Sequence, residues 1–279
     1  MRTRTIAVAV AAAVLTLSHA APAQSVGRIL ERDFKSAVKD IEAVWGSPFD
    51  GNARDWWIAA GGFAAFGVSM FADQAVSDWA IENDSSAFFR ALRPVRRGGL
   101  LFSGKTVVPP VAAAYVVGIV AKNEDVRDFV IGCMTSWASQ SMARKGIAGV
   151  FGRARPDTMP SDPQHWEIGG GFGNWEMRSF PAGHFANAMA CATYWNKRFR
   201  MGPVEPALYA LAAAVGIGRF ADRAHWLSDT VIGGLLGYAV GSEVARRRLE
   251  ERAERQPGTA GLNVAPEPGA LNFSFSFRF

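Results

Sequence analysis

Three uncharged runs of helix length, Trp56–Ala72, Thr106–Ala121 and Phe129–Ala143, limit what this chain can become. Each falls just short of the ~20 residues that cross a bilayer comfortably. Each is therefore a core helix or a short membrane helix. Two further apolar helices are expected at Phe185–Asn196 and Pro206–Gly218. A last one starts near His225, and its charged second half, "ARRRLEERAERQ", is expected to protrude into water. Upstream, Val26, Ile29, Leu30, Phe34, Val38, Ile41 and Trp45 recur every three or four positions, which predicts an amphipathic helix with one buried stripe. The segment "FFRALRPVRRGG" reads as a solvated connector, with a segment resting on a membrane surface as the alternative. No βαβ alternation is present, so the expected fold is all-α, a bundle of about six helices.

Both ends differ from this body. Arg2 and Arg4, an apolar run Ile6–Leu17 and the triplet Ala21-Pro22-Ala23 have the three-part layout of a secretory signal. The expected organisation is a signal peptide over 1–23, cut before Gln24, and a helical domain over 24–255; an uncleaved anchor is the alternative. Export would place the protein in the periplasm or cell envelope and permit a disulfide. Cys133 and Cys191 fit either a disulfide or two buried thiols. A Pro/Gly linker is expected over 256–270. After it "LNFSFSFRF" alternates with period two, which predicts a short C-terminal β-strand over 271–279. It resembles the last strand of outer-membrane barrels, and it fits a sheet or outer-membrane partner as well as packing on this domain. The formal net charge of +5 includes the two leader arginines and forms no polybasic stripe, which argues against nucleic-acid binding.

Chemistry concentrates in three segments. In "GRFADRAHWLSD" the scarce residue His225 stands six positions after Arg219 and four before Asp229. Asp222 as N-cap would put His225 in the first turn of a helix, with Asp229 on the same face to fix its tautomer. In "SFPAGHFANAMA", Pro181 suits a helix start and Gly183 permits close backbone approach, which makes an anion site beside His184. In "RKGIAGVFGRARP", Arg153 and Arg155 close an apolar helix, with Arg144 and Lys145 two to three turns upstream. Arginine forks match phosphate oxygens. Taken singly, each segment is also explained as a capped helix end. The loop Pro156–Pro181 carries Trp166, Phe172 and Trp175, which either wall an entrance or pin the loop; its "GGGFG" reads as a flexible turn.

In combination and order, the three segments resemble the type 2 phosphatidic acid phosphatase family. That family shares its fold with bacterial nonspecific acid phosphatases and vanadium haloperoxidases. Its pattern is Lys, six residues, Arg-Pro; then Pro-Ser-Gly-His; then Ser-Arg, five residues, His, three residues, Asp. Arg155-Pro156, Pro181, Gly183, His184, Arg219, His225 and Asp229 match it. The family lysine falls on Ala148, with Lys145 three residues earlier and so about 4.5 Å along the axis. The two serines are Ala182 and Gly218. The resemblance implies phosphomonoester hydrolysis through a phosphohistidine, without metal or cofactor. His225 is the nucleophile, Asp229 its orienter and His184 the acid and base. Arg155, Arg219, Gly183, Ala182 and Lys145 bind phosphate. The implied substrate is a lipid phosphate such as phosphatidate or an isoprenoid pyrophosphate, at a membrane surface. A soluble ester, a vanadate-dependent oxidase and a non-catalytic envelope docking protein stay open as alternatives.

Overall fold

The computed structural model describes residues 23–48, 53–99, 104–255, 261–263 and 274–276. Ten α-helices occur among them: α1 Ala23–Gly46, α2 Ala53–Met70, α3 Asp73–Glu82, α4 Ala87–Gly99, α5 Gly104–Val120, α6 Glu124–Phe151, α7 Gly170–Gly173, α8 Gly183–Phe199, α9 Glu205–Ala221 and α10 Leu227–Arg255. Counting long apolar runs predicts about six helices and misses the rest because the missed ones are short or lack such a run. The expected connector is α4, and Phe89, Leu92 and Val95 give it a buried face at three-residue spacing. Phe89 is buried with Ala80 and Phe220, and Val95 packs towards α8 and α9.

The centre is the α8–α10 pair. Gly233, Gly237 and Gly241 form a bare stripe along α10. A Cβ built on them would stand 2.6, 2.3 and 2.3 Å from the carbonyl oxygens of Ala182, Ala186 and Ala190. Both rows have a four-residue period, so small residues on both helices let the two backbones touch. α6 joins this pair through Gly132, where a Cβ would meet the Tyr194 ring. A Cys133–Cys191 disulfide also joins α6 to α8. Val44, Tyr194, Val240 and Val244 complete that core.

α1 is a helix, but its buried stripe is not the apolar one. Asp33, Ser36, Asp40 and Val44 face inward, while Leu30, Phe34, Val38 and Trp45 are exposed. The reason lies in α10, whose charged half turns one side inward, while Arg246, Glu250 and Arg252 stay exposed. Arg247 and Arg248 both reach the fully buried Asp40, Arg248 at 2.6 Å. Asp33 takes Arg127 at 3.0 Å, and Asp128 takes Arg198 at 2.6 Å. Burial pushes the Asp40 carboxyl upward and the two guanidiniums pull it back. Buried charges persist when paired in this way.

The expected nine-residue C-terminal strand is not seen. Of residues 271–279 only Ser274–Ser276 are described. They form β2, antiparallel to β1 (Gly261–Asn263), with Leu262 opposite Phe275. Among the described residues the ladder has three pairs, and β1 falls inside the expected linker. Most of the expected signal peptide lies outside the described residues.

Gly237→Val inserts atoms where the Ala186 carbonyl already sits, so it should destabilise by about 1–3 kcal/mol or more. Gly27→Ala, with nothing within 4 Å, should stabilise by about 0.5–1 kcal/mol. Thermal unfolding of the two variants checks both signs.

Candidate active site

Three chain ends converge because of local structure. α6 stops at Gly152, which is left-handed (φ 53°) and donates its N–H to the Ala148 carbonyl. A side chain at Gly152 would strike the Glu167 carbonyl. The chain then enters the Pro156–Pro181 loop, which is held on both sides by short bridges from Arg153 to Trp166 and to Arg178. α8 begins at Gly183 and α10 at Leu227, with their N-termini adjacent: the Ala182 amide donates to the Asp229 carbonyl at 3.0 Å.

Arg153 ties these pieces together. Its side chain is fully buried. Nη1 donates to Asp229 at 2.6 Å and to the Ser228 hydroxyl at 2.7 Å. Nη2 donates to Asp73 on α3 at 2.6 Å, and Nε and Nη2 reach the Pro163 carbonyl. The guanidinium also lies 4.7 Å from the Trp166 ring centre and 5.7 Å from that of Trp226. Trp166 thus pins the loop. Asp73 in turn accepts the Ser228 amide and hydroxyl. Arg153 therefore binds protein carboxylates.

His225 does not lie in a first helical turn. Asp222 caps the C-terminus of α9 instead, and Trp226 precedes α10. Asp229 consequently does not touch the imidazole. Its carboxylate accepts from Arg153, the Ser179 hydroxyl and the Trp226 amide, the last being the returning half of a capping box. Burial pushes its pKa up, and Arg153, Ser179 and Trp226 counter that. His225 Nδ1 lies 2.6 Å from the Ser179 carbonyl. A carbonyl only accepts, so Nδ1 carries the proton and Nε2 keeps its lone pair. Asp229 acts on His225 at one remove, through Ser179.

Both histidines are held neutral. Burial lowers the His225 pKa well below the usual value, reinforced by Arg155, Arg219, Arg144 and His184. Burial, then Arg219, Arg144 and Arg155, takes His184 down to about 4. Arg155 is 6% exposed, lies 4.2 Å from the exposed Trp175 ring, and is lowered to about 10, chiefly by burial and then by Arg144. Its buried Nε has no hydrogen-bond partner. Arg219, in the last turn of α9, pairs with Asp222 at 2.7 Å.

The remaining expected phosphate ligands divide. Gly183 opens α8, where first-turn amides lack intrahelical acceptors. The Ala182 amide is occupied by Asp229, and there is no side-chain cap. Lys145 is exposed. Arg144 turns inward instead, donating Nε to the Pro181 carbonyl (3.2 Å) and Nη2 to that of Arg178 (2.8 Å). A Cβ on Gly183 would lie 3.2 Å from Arg144 Nε. Arg144 is one turn before Ala148 on α6, so the i−4 spacing from the family position is the signal that points to it. Asp73 and Ser179 carry no motif, and nothing in the sequence marks them. Among the described residues no group of three or more His, Cys, Asp or Glu could hold a metal ion.

Two histidines, one on a helix N-terminus and one before another, stand among arginines spaced as in the resemblance above. Residues 129–252 match the family described as the PAP2 superfamily. Across that stretch the chain is similar to the PAP2 superfamily. A 93-residue segment is 33% identical to the lipid A 1-phosphatase of Porphyromonas gingivalis, covering 33% of this chain and 17% of that relative's length. Among solved structures, a transmembrane PAP2 type phosphatidylglycerolphosphate phosphatase from Bacillus subtilis matches with a TM-score of 0.49. It is 18% identical, over 70% of this chain and 97% of that one.

Arg153→Met strands Asp73 and Asp229, so it should cost about 3–5 kcal/mol, read by denaturant unfolding. The lowered histidines predict an acid limb. Below the unfolded value near 6.5 the unfolded chain takes up a proton that folded His184 refuses until about pH 4. Stability should fall between those values and level off above them. His184→Asn should make the fall shallower in a melting-temperature series against pH.

Proposed function

We propose that the chain is an exported phosphomonoester hydrolase that works through a phosphohistidine. The observation that carries this is His225, neutral, with Nδ1 held by the Ser179 carbonyl and Nε2 left free among Arg144, Arg155 and Arg219. In this mechanism Nε2 attacks phosphorus in line and the ester oxygen departs. Arg155, Arg219, Arg144 and the Gly183 amide hold the equatorial oxygens, so catalysis is positioning plus electrostatics. Arg144 takes the part of the absent lysine.

His184 protonates the leaving alkoxide and then takes a proton from the water that cleaves the phosphoenzyme. A pKa near 4 suits the empty site. A bound phosphate places negative charge beside His184 and opposes the effect of the three arginines, which readies it as an acid.

A lipid phosphate is the favoured substrate. The surface supports it: Phe34 is 69% exposed, Trp57 78% and Phe71 93%, along α1 and the α2 segment. One segment among the described residues, Gly202–Ala221, is long and apolar enough to cross a membrane, and 28% of it is buried. The name of the Porphyromonas relative points the same way. The leader and the disulfide accord with a cell-envelope location.

Phosphate release from phosphatidate in detergent and from p-nitrophenyl phosphate, both with EDTA, tests the proposal. His225→Ala should lose at least about 10³-fold in kcat. His184→Ala should lose about 10²-fold or more on phosphatidate, and less in the first step on p-nitrophenyl phosphate, whose leaving group needs little protonation. Equal turnover by wild type and His225→Ala would refute the mechanism.

A further inference from the structure

The arginines of the site are not held alike. Arg153 is fastened by Asp73 and Asp229, Arg144 by the carbonyls of Pro181 and Arg178, and Arg219 by Asp222. Arg155 differs. Its buried Nε has no partner, and among the described residues its guanidinium takes part in no hydrogen bond or ion pair. Asp157 and Asp229 act on it only at a distance. What lies against it is the Trp175 ring, whose centre is 4.2 Å from the guanidinium carbon.

The backbone brings Trp175 there. The Arg155 amide donates to the Glu176 carbonyl and the Ser179 amide to the Arg153 carbonyl, both at 3.0 Å, so the two stretches run side by side. Asn174 accepts the Glu176 amide through its side chain at 2.9 Å, and the Arg178 amide donates to the Trp175 carbonyl at 3.2 Å. Trp175 therefore sits in a turn closed from both sides. Its side chain stays 60% exposed. An indole so exposed contributes little to a core, and its contact with Arg155 is what the position achieves. The same loop sets Trp166 against Arg153 at 4.7 Å, but Arg153 commits its donors to carboxylates.

A ring face and a carboxylate hold a guanidinium in different ways. The donors of arginine lie in the plane of the group. A carboxylate meets them edge-on, occupies them and cancels the charge. An indole meets the flat face, fixes the plane by cation–π attraction and leaves the donors to another ligand. Arg155 thus stands with its plane set and its donors open, as a bidentate phosphate contact requires.

We infer that Trp175 is a positioning residue of this site: it fixes the plane of Arg155, so that the guanidinium fork meets phosphate already oriented. The inference rests on the phosphatase reading for the identity of the ligand. It gives the loop between α6 and α8 a part in holding substrate as well as in connecting two helices.

Phosphorus NMR titration of the full-length chain with inorganic phosphate reads affinity without turnover. Trp175→Leu should weaken phosphate about tenfold, while Trp175→Phe and Trp175→Tyr should stay within about threefold of the unsubstituted chain. Arg155→Met supplies a second arm. A ring that works through Arg155 has nothing left to position there, so adding Trp175→Leu should change the affinity no further, whereas a merely structural ring would show its full effect again. Trp175 is exposed, so the fold should survive; thermal unfolding checks this, and Trp175→Met repeats the truncation with a second side chain. Unchanged affinity in Trp175→Leu, or an equal loss in the Arg155→Met background, overturns the inference. Turnover of p-nitrophenyl phosphate is scored separately. Coupled phosphate binding in a chain without turnover would uphold Trp175 and sink the phosphatase reading; turnover without the coupling would do the reverse.

Discussion

The site depends on a buried guanidinium held between two buried carboxylates. Arg153 joins Asp73 at the start of α3 to Asp229 in the first turn of α10 and anchors the loop at Pro163. Arginine meets this demand because it is planar, permanently charged and carries five donors, so one side chain can bind two acids and a carbonyl. Asp229 thereby becomes a fixed point. Its Oδ2 holds the Ser179 hydroxyl, and the Ser179 carbonyl holds His225. The His225 imidazole is thus placed by a relay of buried groups rather than by a single partner.

The α8–α10 contact sets where that relay can act. A stripe of glycines against a stripe of alanines brings the two N-termini level, so His184 on one helix and His225 before the other face the same arginines. Larger residues along either stripe would separate the helices and part the histidines. Burial, reinforced by the charges of Arg155, Arg219 and Arg144, then keeps both rings neutral.

Much of this was legible in sequence, and the failures share a cause. The positions of α2, α5, α6, α8 and α9 followed from apolar runs, and the spacing around His184 and His225 gave the residues that meet. The face that α1 buries was not legible, because periodicity locates an apolar stripe without saying what it touches. Where the inward face is held by ion pairs, as at Asp33 and Asp40, that rule inverts. The helical reading of His225 and Asp229 failed because four-residue spacing fits a capping box as well as a shared face. The motif spacing picks out Arg155 but leaves Arg153 without a role, and that role appears only when Asp73, 80 residues away, claims it.

The acid stripe of α1 also has a consequence for how the chain is assembled. Asp40 meets Arg248 across 208 positions of sequence. Asp33 finds Arg127 once α6 has been made, but Asp40 emerges unmatched and remains so until the last helix has been made. Closure of that long loop is a late event by loop entropy alone. The two ends of the domain act as a clasp, and a chain shortened before Arg247 would leave its opening helix with the Asp40 carboxylate facing a core that cannot hold it.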